Sequence, residues 1–429
     1  MSTPLRIGIA GLGTVGVGVV KILRQKGNML AQRAGRPIEI VAVNARSKDK
    51  DRGVNISSYD WADSPQAIAA RDDIDVFVEL IGGDAGDALE ATKIALSTGK
   101  DVVTANKAML ALHGNELAAL AEHHGRTIRF EAAVAGGIPV IKALTEGLAG
   151  NDVTRVLGVM NGTCNYILTR MEHGGLTYAE AFAEADDLGY LEADPTLDVG
   201  GIDAAHKLAL LTSIAFGTQV NFDGIKIEGI EHVSIDDIKQ AARLGYRIKL
   251  LGVAQRTGRG LEQRMSPCLV PANSPLGQLE GGTNMTILEG DEVGTIVLRG
   301  AGAGQGPTAS AVLSNVMDLA RGTRLLPFGQ PAASLETPPH SDFETTAPFY
   351  LRLSLVDKPG ALARVADALA QHGVSIDQMR QYGTCDQSAS VLIITHKSMR
   401  TALGAALDQL AGSDVLMDTP VALRIEHIT

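Results

Sequence analysis

Apolar positions in the first third of the chain fall into short runs separated by stretches with helical spacing. Residues 6–10, 38–43, 76–81, 101–104 and 127–132 read as strands, each bounded by Gly, Asp or Asn. Between them, residues 15–25, 87–97 and 109–123 repeat apolar positions every three to four residues, as an amphipathic helix does. Strand alternating with helix predicts an α/β fold with a parallel, doubly wound sheet and right-handed crossovers, over residues 1–150. The pattern then changes. Residues 177–188 and 202–216 read as helices, and 248–255, 262–269, 285–290 and 294–298 as successive antiparallel strands, which predicts an α+β domain over 151–304. A Gly-rich stretch at 300–306 opens a helix through 309–320, with Pro307 in a first turn that tolerates it. Helix 305–321 is expected to complete the first domain. Pro327, Pro331, Pro338, Pro339 and Pro348 mark residues 327–348 as a linker. Beyond it, 349–356, 360–372, 375–382, 389–395, 399–410 and 421–426 alternate as strand, helix, strand, strand, helix, strand, the order of a small ferredoxin-like domain over 349–429.

Composition narrows the function classes. At 429 residues the chain has room for roughly three domains of about 150 residues each. Its 45% hydrophobic and 20% charged content is ordinary globular usage, and a net charge of −11 disfavours nucleic acid or an anionic membrane as partner. Cys164, Cys268 and Cys385 lie far apart, which suits a reducing cytoplasm better than a disulfide framework. The apolar run 7–20 behind Arg6 has the length of a signal-peptide core, but five glycines within it argue for a strand turning into a helix.

Gly11-Leu12-Gly13-Thr14-Val15-Gly16 follows the first apolar strand and opens a helix, the context a dinucleotide-binding loop requires. The first glycine allows the tight turn, the second lets backbone approach the pyrophosphate, and the third lets helix and strand pack closely. A plain tight turn is the alternative. At the end of the second strand, Arg46, Ser47 and Lys48 precede the first acid, Asp49. Two cations and a hydroxyl there suit the 2′-phosphate of NADP, with NAD and a merely solvated basic turn as the alternatives.

On helix 202–216, Asp203, Lys207, Leu210, Leu211 and Ile214 share one face, so an acid and a lysine continue an apolar stripe. An ordinary i,i+4 pair explains this if the face is exposed. A buried face would make the pair costly and point to a site. Upstream, Glu192, Asp194, Asp198 and Asp203 concentrate acidic groups, either as a solvated loop or as a pocket for a substrate ammonium. Lys107 closes Thr104-Ala105-Asn106-Lys107 just past a strand, at the carboxyl edge where doubly wound sheets bind ligands, with a merely solvated loop lysine as the alternative.

Together these stretches resemble homoserine dehydrogenases. The resemblance runs through Gly11 to Gly16, Thr104 to Lys107, Asn161-Gly162-Thr163, Gly189 to Pro195, Gly201 to Leu208 and Gly302-Ala303-Gly304. It implies NAD(P)-dependent interconversion of L-homoserine and L-aspartate 4-semialdehyde, a step towards threonine, methionine and isoleucine. By the same resemblance Lys207 is the proton donor and Lys107 its assistant near the nicotinamide, while Glu192 holds the substrate amine with Asp198 and Asp203. Gly304 approaches the nicotinamide end. A sodium or potassium ion is implied on carbonyls of Glu131, Val134, Gly136 and Ile138, in a loop that otherwise reads as a simple glycine turn. The tail, with Asp357-Lys358-Pro359-Gly360-Ala361-Leu362, resembles an ACT domain. That implies pairing of chains into a homodimer or homotetramer and an amino-acid effector such as threonine, or else a purely structural dimerisation module. With no aspartokinase-like segment before residue 1, the monofunctional form is expected.

Two other classes compete. A non-catalytic amino-acid sensor would need no lysine proton donor, and a different NADP-dependent aldehyde reductase would need no acids for an amine.

Overall fold

Every residue of Val76–Glu79 and Asp101–Thr104 is buried, as expected of central strands in a parallel sheet covered on both faces by helices. The computed structural model describes residues 3–191, 194–258, 260–338, 345–385 and 388–427. Its first sheet contains β1 (Leu5–Ala10), β2 (Ile38–Asn44), β3 (Asp60–Trp61), β4 (Val76–Glu79), β5 (Asp101–Thr104) and β6 (Ile128–Arg129). All pairings are parallel and the order is β3-β2-β1-β4-β5-β6, the arrangement of dinucleotide-binding folds. The helix after β1 runs Thr14–Ala34, longer than its apolar pattern suggested, and stops at Gly35, whose φ of 77° is a left-handed cap. Strand 127–132 was expected to be longer than β6. The chain leaves the sheet because the Glu131 N–H donates to Asn315 Oδ1, while both Glu131 carboxylate oxygens accept backbone N–H groups of Ile141 and Lys142, all at 2.9 Å. Residues Glu131–Val134 are helical instead. Helix Gln305–Ala320, which starts where expected, packs on Thr14–Ala34 at Gly18, where a Cβ would come within 2.9 Å of the Ala309 Cβ.

The second sheet contains β7 (Val153–Val159), β8 (Lys226–Ile227), β9 (Tyr246–Thr257), β10 (Gly260–Pro271), β11 (Thr283–Gly290) and β12 (Gly294–Ala301). It continues through β13 (Phe349–Val356), β14 (Ile376–Cys385), β15 (Ser388–Thr395) and β16 (Val421–Ile425). Strands β9 and β10 pair antiparallel, as do β11 and β12. The four are not successive neighbours, because β7 inserts between β9 and β11. Strands β16-β13-β15-β14 form the tail's own ferredoxin-like sheet, with helices Ala361–Gln371 and Arg400–Ala411. That sheet joins the larger one where β16 runs parallel to β10 at Cys268–Arg424 and Leu269–Ile425.

Residues 327–338 are strapped to the molecule, unlike a free linker. Phe328 is buried against Phe130, the Glu122 carboxylate accepts the Ala332 N–H, and the Glu336 carbonyl accepts the Gln219 N–H at 2.8 Å.

Candidate active site

The glycine loop has the backbone it needs. Gly11 has φ 101°, and a Cβ there would sit 2.3 Å from the Leu80 carbonyl oxygen. A Cβ at Gly16 would meet the Gly11 carbonyl oxygen at 2.0 Å, so helix and strand touch backbone to backbone. Gly13 faces open space and caps helix Thr14–Ala34 without a side-chain bond or an acid in the first turn. That leaves N–H groups at a helix start for an anion. Gly11, Leu12 and Gly13 border one cavity of about 590 Å³, and Thr14 and Val15 border another of about 560 Å³. The loop therefore separates two chambers.

Arg46 and Ser47 line the first chamber, but Lys50 and Arg52 stand there and Lys48 does not. Arg52 was not singled out from the sequence. Its Nε donates to the Leu12 carbonyl at 3.3 Å and its Nη1 to the Lys50 carbonyl at 2.8 Å, tying the basic loop to the glycine loop.

The second chamber is built from three helix starts. Asn106 caps helix Lys107–His123 by accepting the Met109 N–H, and its own N–H donates to Thr104 Oγ1, which in turn donates to the buried Glu79 carboxylate at 2.5 Å. This chain of bonds fixes Lys107 at the first helical position. Asn161 caps Gly162–Gly174, and its Nδ2 donates to Asp198 at 2.8 Å and to Asp203 at 3.3 Å. Gly201, with φ 82°, turns the chain into Ile202–Phe216 and places Asp203 in the first turn.

These starts converge on Asp203. Lys207 Nζ donates to its Oδ2 at 2.6 Å and to the Met160 carbonyl at 3.0 Å, while Lys107 Nζ lies 3.0 Å from Oδ1. Burial alone would raise the Asp203 pKa, but the two ammonium groups outweigh it and hold the carboxyl well below its usual range. Lys207 is 9% exposed, so the acid–lysine stripe is buried and an ordinary surface pair does not describe it. Gly304, with φ 112°, lines the same chamber as the two lysines.

Of the acids, Asp198 is buried at the chamber wall and Asp203, partly exposed, lines the same chamber. Asp194 instead accepts the N–H and hydroxyl of Thr196, a local turn contact. Glu192 lies outside the described residues. Tyr190, also unforeseen, lines the chamber and stacks on Tyr166 with ring centroids 4.5 Å apart.

In the loop after β6, burial raises the Glu131 pKa against the two backbone bonds it accepts. Ile138 gives its carbonyl to the Val140 N–H at 2.8 Å, and Gly136, with φ 55°, abuts the Gly302 carbonyl. Among the described residues no group of three or more His, Cys, Asp or Glu side chains is placed to hold a metal.

Residues 139–317 match the family described as homoserine dehydrogenase, and residues 11–131 match the homoserine dehydrogenase NAD-binding domain. A homoserine dehydrogenase of Neisseria gonorrhoeae is 42% identical over 99% of both chains. The chain belongs to the homoserine dehydrogenase family. It is thus an oxidoreductase with a nucleotide-binding domain and, over residues 349–412, an ACT domain. The crystal structure of a homoserine dehydrogenase from Thiobacillus denitrificans superposes with a TM-score of 0.93 at 38% identity, covering 99% of each chain. A hyperthermophilic archaeal homoserine dehydrogenase mutant in complex with NADPH matches 74% of this chain and 97% of its own, at a TM-score of 0.63 and 29% identity. Among the described residues no helix is long and apolar enough to cross a membrane.

Proposed function

We propose that this member of the family interconverts L-homoserine and L-aspartate 4-semialdehyde in the cytoplasm, using NADPH in preference to NADH, on the route to threonine, methionine and isoleucine. The observation that carries this reading is Asp203 held between Lys207 and Lys107 in the chamber that the glycine loop and Gly304 both enter. Bound NADPH supplies the hydride. Lys207 gives a proton to the carbonyl oxygen and takes it back in the reverse direction, and its charge stabilises the developing alkoxide. Asp203 and the Met160 carbonyl aim that ammonium. Lys107 brings a second positive charge to the substrate oxygen. Glu192, Asp198 and Asp203 receive the substrate ammonium.

Backbone N–H groups at the start of helix Thr14–Ala34 would hold the pyrophosphate, and Gly304 would border the nicotinamide. Arg46 and Lys48 would attract the 2′-phosphate, Arg46 from the chamber wall it shares with Lys50 and Arg52 and Lys48 from outside it. The donor set fits an anion, and the archaeal relative's complex with NADPH supports the choice. A sodium or potassium ion on the carbonyls of Glu131, Val134, Gly136 and Ile138 would stiffen the loop that abuts Gly302. A carbonyl has two lone pairs, so the bond Ile138 accepts does not exclude the ion. In this reading residues 1–150 with helix 305–321, residues 151–304 and residues 349–429 act as nucleotide, substrate and regulatory domains. The last binds an amino acid such as threonine and pairs with another chain, in a homodimer or homotetramer.

The test is direct. Chain mixed with L-aspartate 4-semialdehyde and NADPH should consume the nicotinamide absorbance and form homoserine. No oxidation would overturn the assignment.

A further inference from the structure

The nucleotide-binding sheet has a second charged cleft at its opposite edge. It lies at the amino ends of the strands, where Leu5 and Arg6 begin β1, Asp75 precedes β4 and Lys100 precedes β5. Strand β1 has six residues at roughly 3.3 Å each, so about 20 Å separates this cleft from the glycine loop. The cleft encloses about 340 Å³.

Five cations border it in a chain whose net charge is −11. Two are neutralised: Arg6 pairs with Asp75 at 3.1 Å and Arg324 with Asp101 at 2.9 Å. Among the described residues, no carboxylate lies within ion-pair distance of the other three, Arg36, Lys100 and Arg126. Lys100 is only 2% exposed, and its ammonium reaches just the Thr98 hydroxyl at 2.9 Å and the Thr98 carbonyl at 3.4 Å. The buried Nε atoms of Arg36 and Arg126 have no partner at all. Asp72 is on the same lining but bonds none of the three. A buried ammonium that Asp72 attracts without bonding it, beside two guanidinium groups whose Nε donors are idle, is costly unless something anionic enters.

We propose that this cleft binds the dianionic phosphate group of a small molecule, held by Lys100, Arg126 and Arg36. Such a group carries close to two charges and three strong acceptor oxygens, which matches three converging cations and the planar donors of arginine. Burial also holds the Lys100 ammonium below its ordinary pKa, a strain the incoming anion relieves. Because β5 leads from Lys100 to the turn before Lys107, occupancy bears on an element that positions the active site.

The experiment is thermal melting of the full chain in saturating NADPH, which fills the other anion site, with potassium phosphate or glycerol 3-phosphate against potassium chloride of equal ionic strength. The wild type should melt higher in at least one phosphate arm. A response to inorganic phosphate alone assigns the free ion, and an equal or stronger response to the ester assigns a phosphorylated metabolite. Lys100→Met should weaken apparent phosphate affinity at least tenfold and melt higher than wild type in chloride, since the uncompensated charge is gone. Arg126→Gln, a milder change at a half-buried position, should lose the response as well, while Arg46→Ala in the cofactor chamber keeps it. Absence of any phosphate response in the wild type, or its survival in both Lys100→Met and Arg126→Gln, would overturn the proposal.

Discussion

Asp203 and Glu426 are each ringed by cations, and they differ in the kind of cation. Asp203 sits between Lys207 and Lys107 on the wall of a cavity of about 560 Å³. Glu426, at the end of the tail's last strand, accepts from Arg155 at 2.5 Å, from Arg424 at 2.6 Å and from Arg264. Glu262 pairs with Arg264, and Glu289 lies 3.6 Å from Arg155, so the junction closes on itself. Arginine cannot release its proton in a protein, whereas lysine can. The arginine cluster therefore suits a permanent staple between the tail and the catalytic sheet, and the lysine cluster suits chemistry.

The comparison breaks most visibly at Lys207. Lys207→Ala should lower kcat by about 10²–10⁴-fold, the usual worth of a positioned general acid, with NADPH affinity within about twofold of wild type. Steady-state kinetics and a binding titration check both halves. Next in size, Arg264→Met leaves Glu426 with Arg155 and Arg424 only and takes the arginine from Glu262, and should cost about 1.5–3 kcal/mol in denaturant unfolding. Turnover per folded molecule should hardly change, and a loss of kcat without loss of stability would erase the distinction between the two clusters.

A smaller effect is expected from pH. Burial, the leading cause, holds Lys249 down to about 8, and its ammonium donates to Asn165 Oδ1 at 2.9 Å. Because the folded pKa lies below the unfolded value, the unfolded chain binds more protons between about pH 8 and the usual lysine range near 10.4. Stability relative to Lys249→Met should therefore rise with pH across that window and stay flat below it. A falling difference would contradict the assignment. Smallest is Arg46→Ala, which should shift the NADPH-to-NADH preference by about tenfold, worth roughly 1.4 kcal/mol, read from the ratio of kcat/KM values.

Local signals in the sequence were strong where the chain punctuates itself. Gly201 and Gly217, both left-handed, bracket Ile202–Phe216 and made its limits plain. The same holds for the glycine loop and for the tail, where a strand, helix, strand, strand, helix, strand order is enough to specify the sheet. Non-local pairing left no comparable mark. Nothing in Val153–Val159 announces that it separates β9 from β11, and two residue pairs between β10 and β16 are too few to leave a periodicity. Residues 327–338 read as a linker because proline and polar residues dominate, yet Phe328 and Leu335 are buried. In the site, charged residues were visible as chemistry. Their supports were not, because Glu79, Asn106 and Asn161 act through caps and backbone contacts that exist only once three helices have converged.

The claim that lysine, and not charge alone, makes the Asp203 cluster functional is tested most directly by Lys207→Arg. Its rate of NADPH oxidation with L-aspartate 4-semialdehyde should be as low as that of Lys207→Ala, although the positive charge beside Asp203 is kept. A rate within tenfold of wild type would show that a fixed cation suffices, and would contradict proton transfer from Lys207.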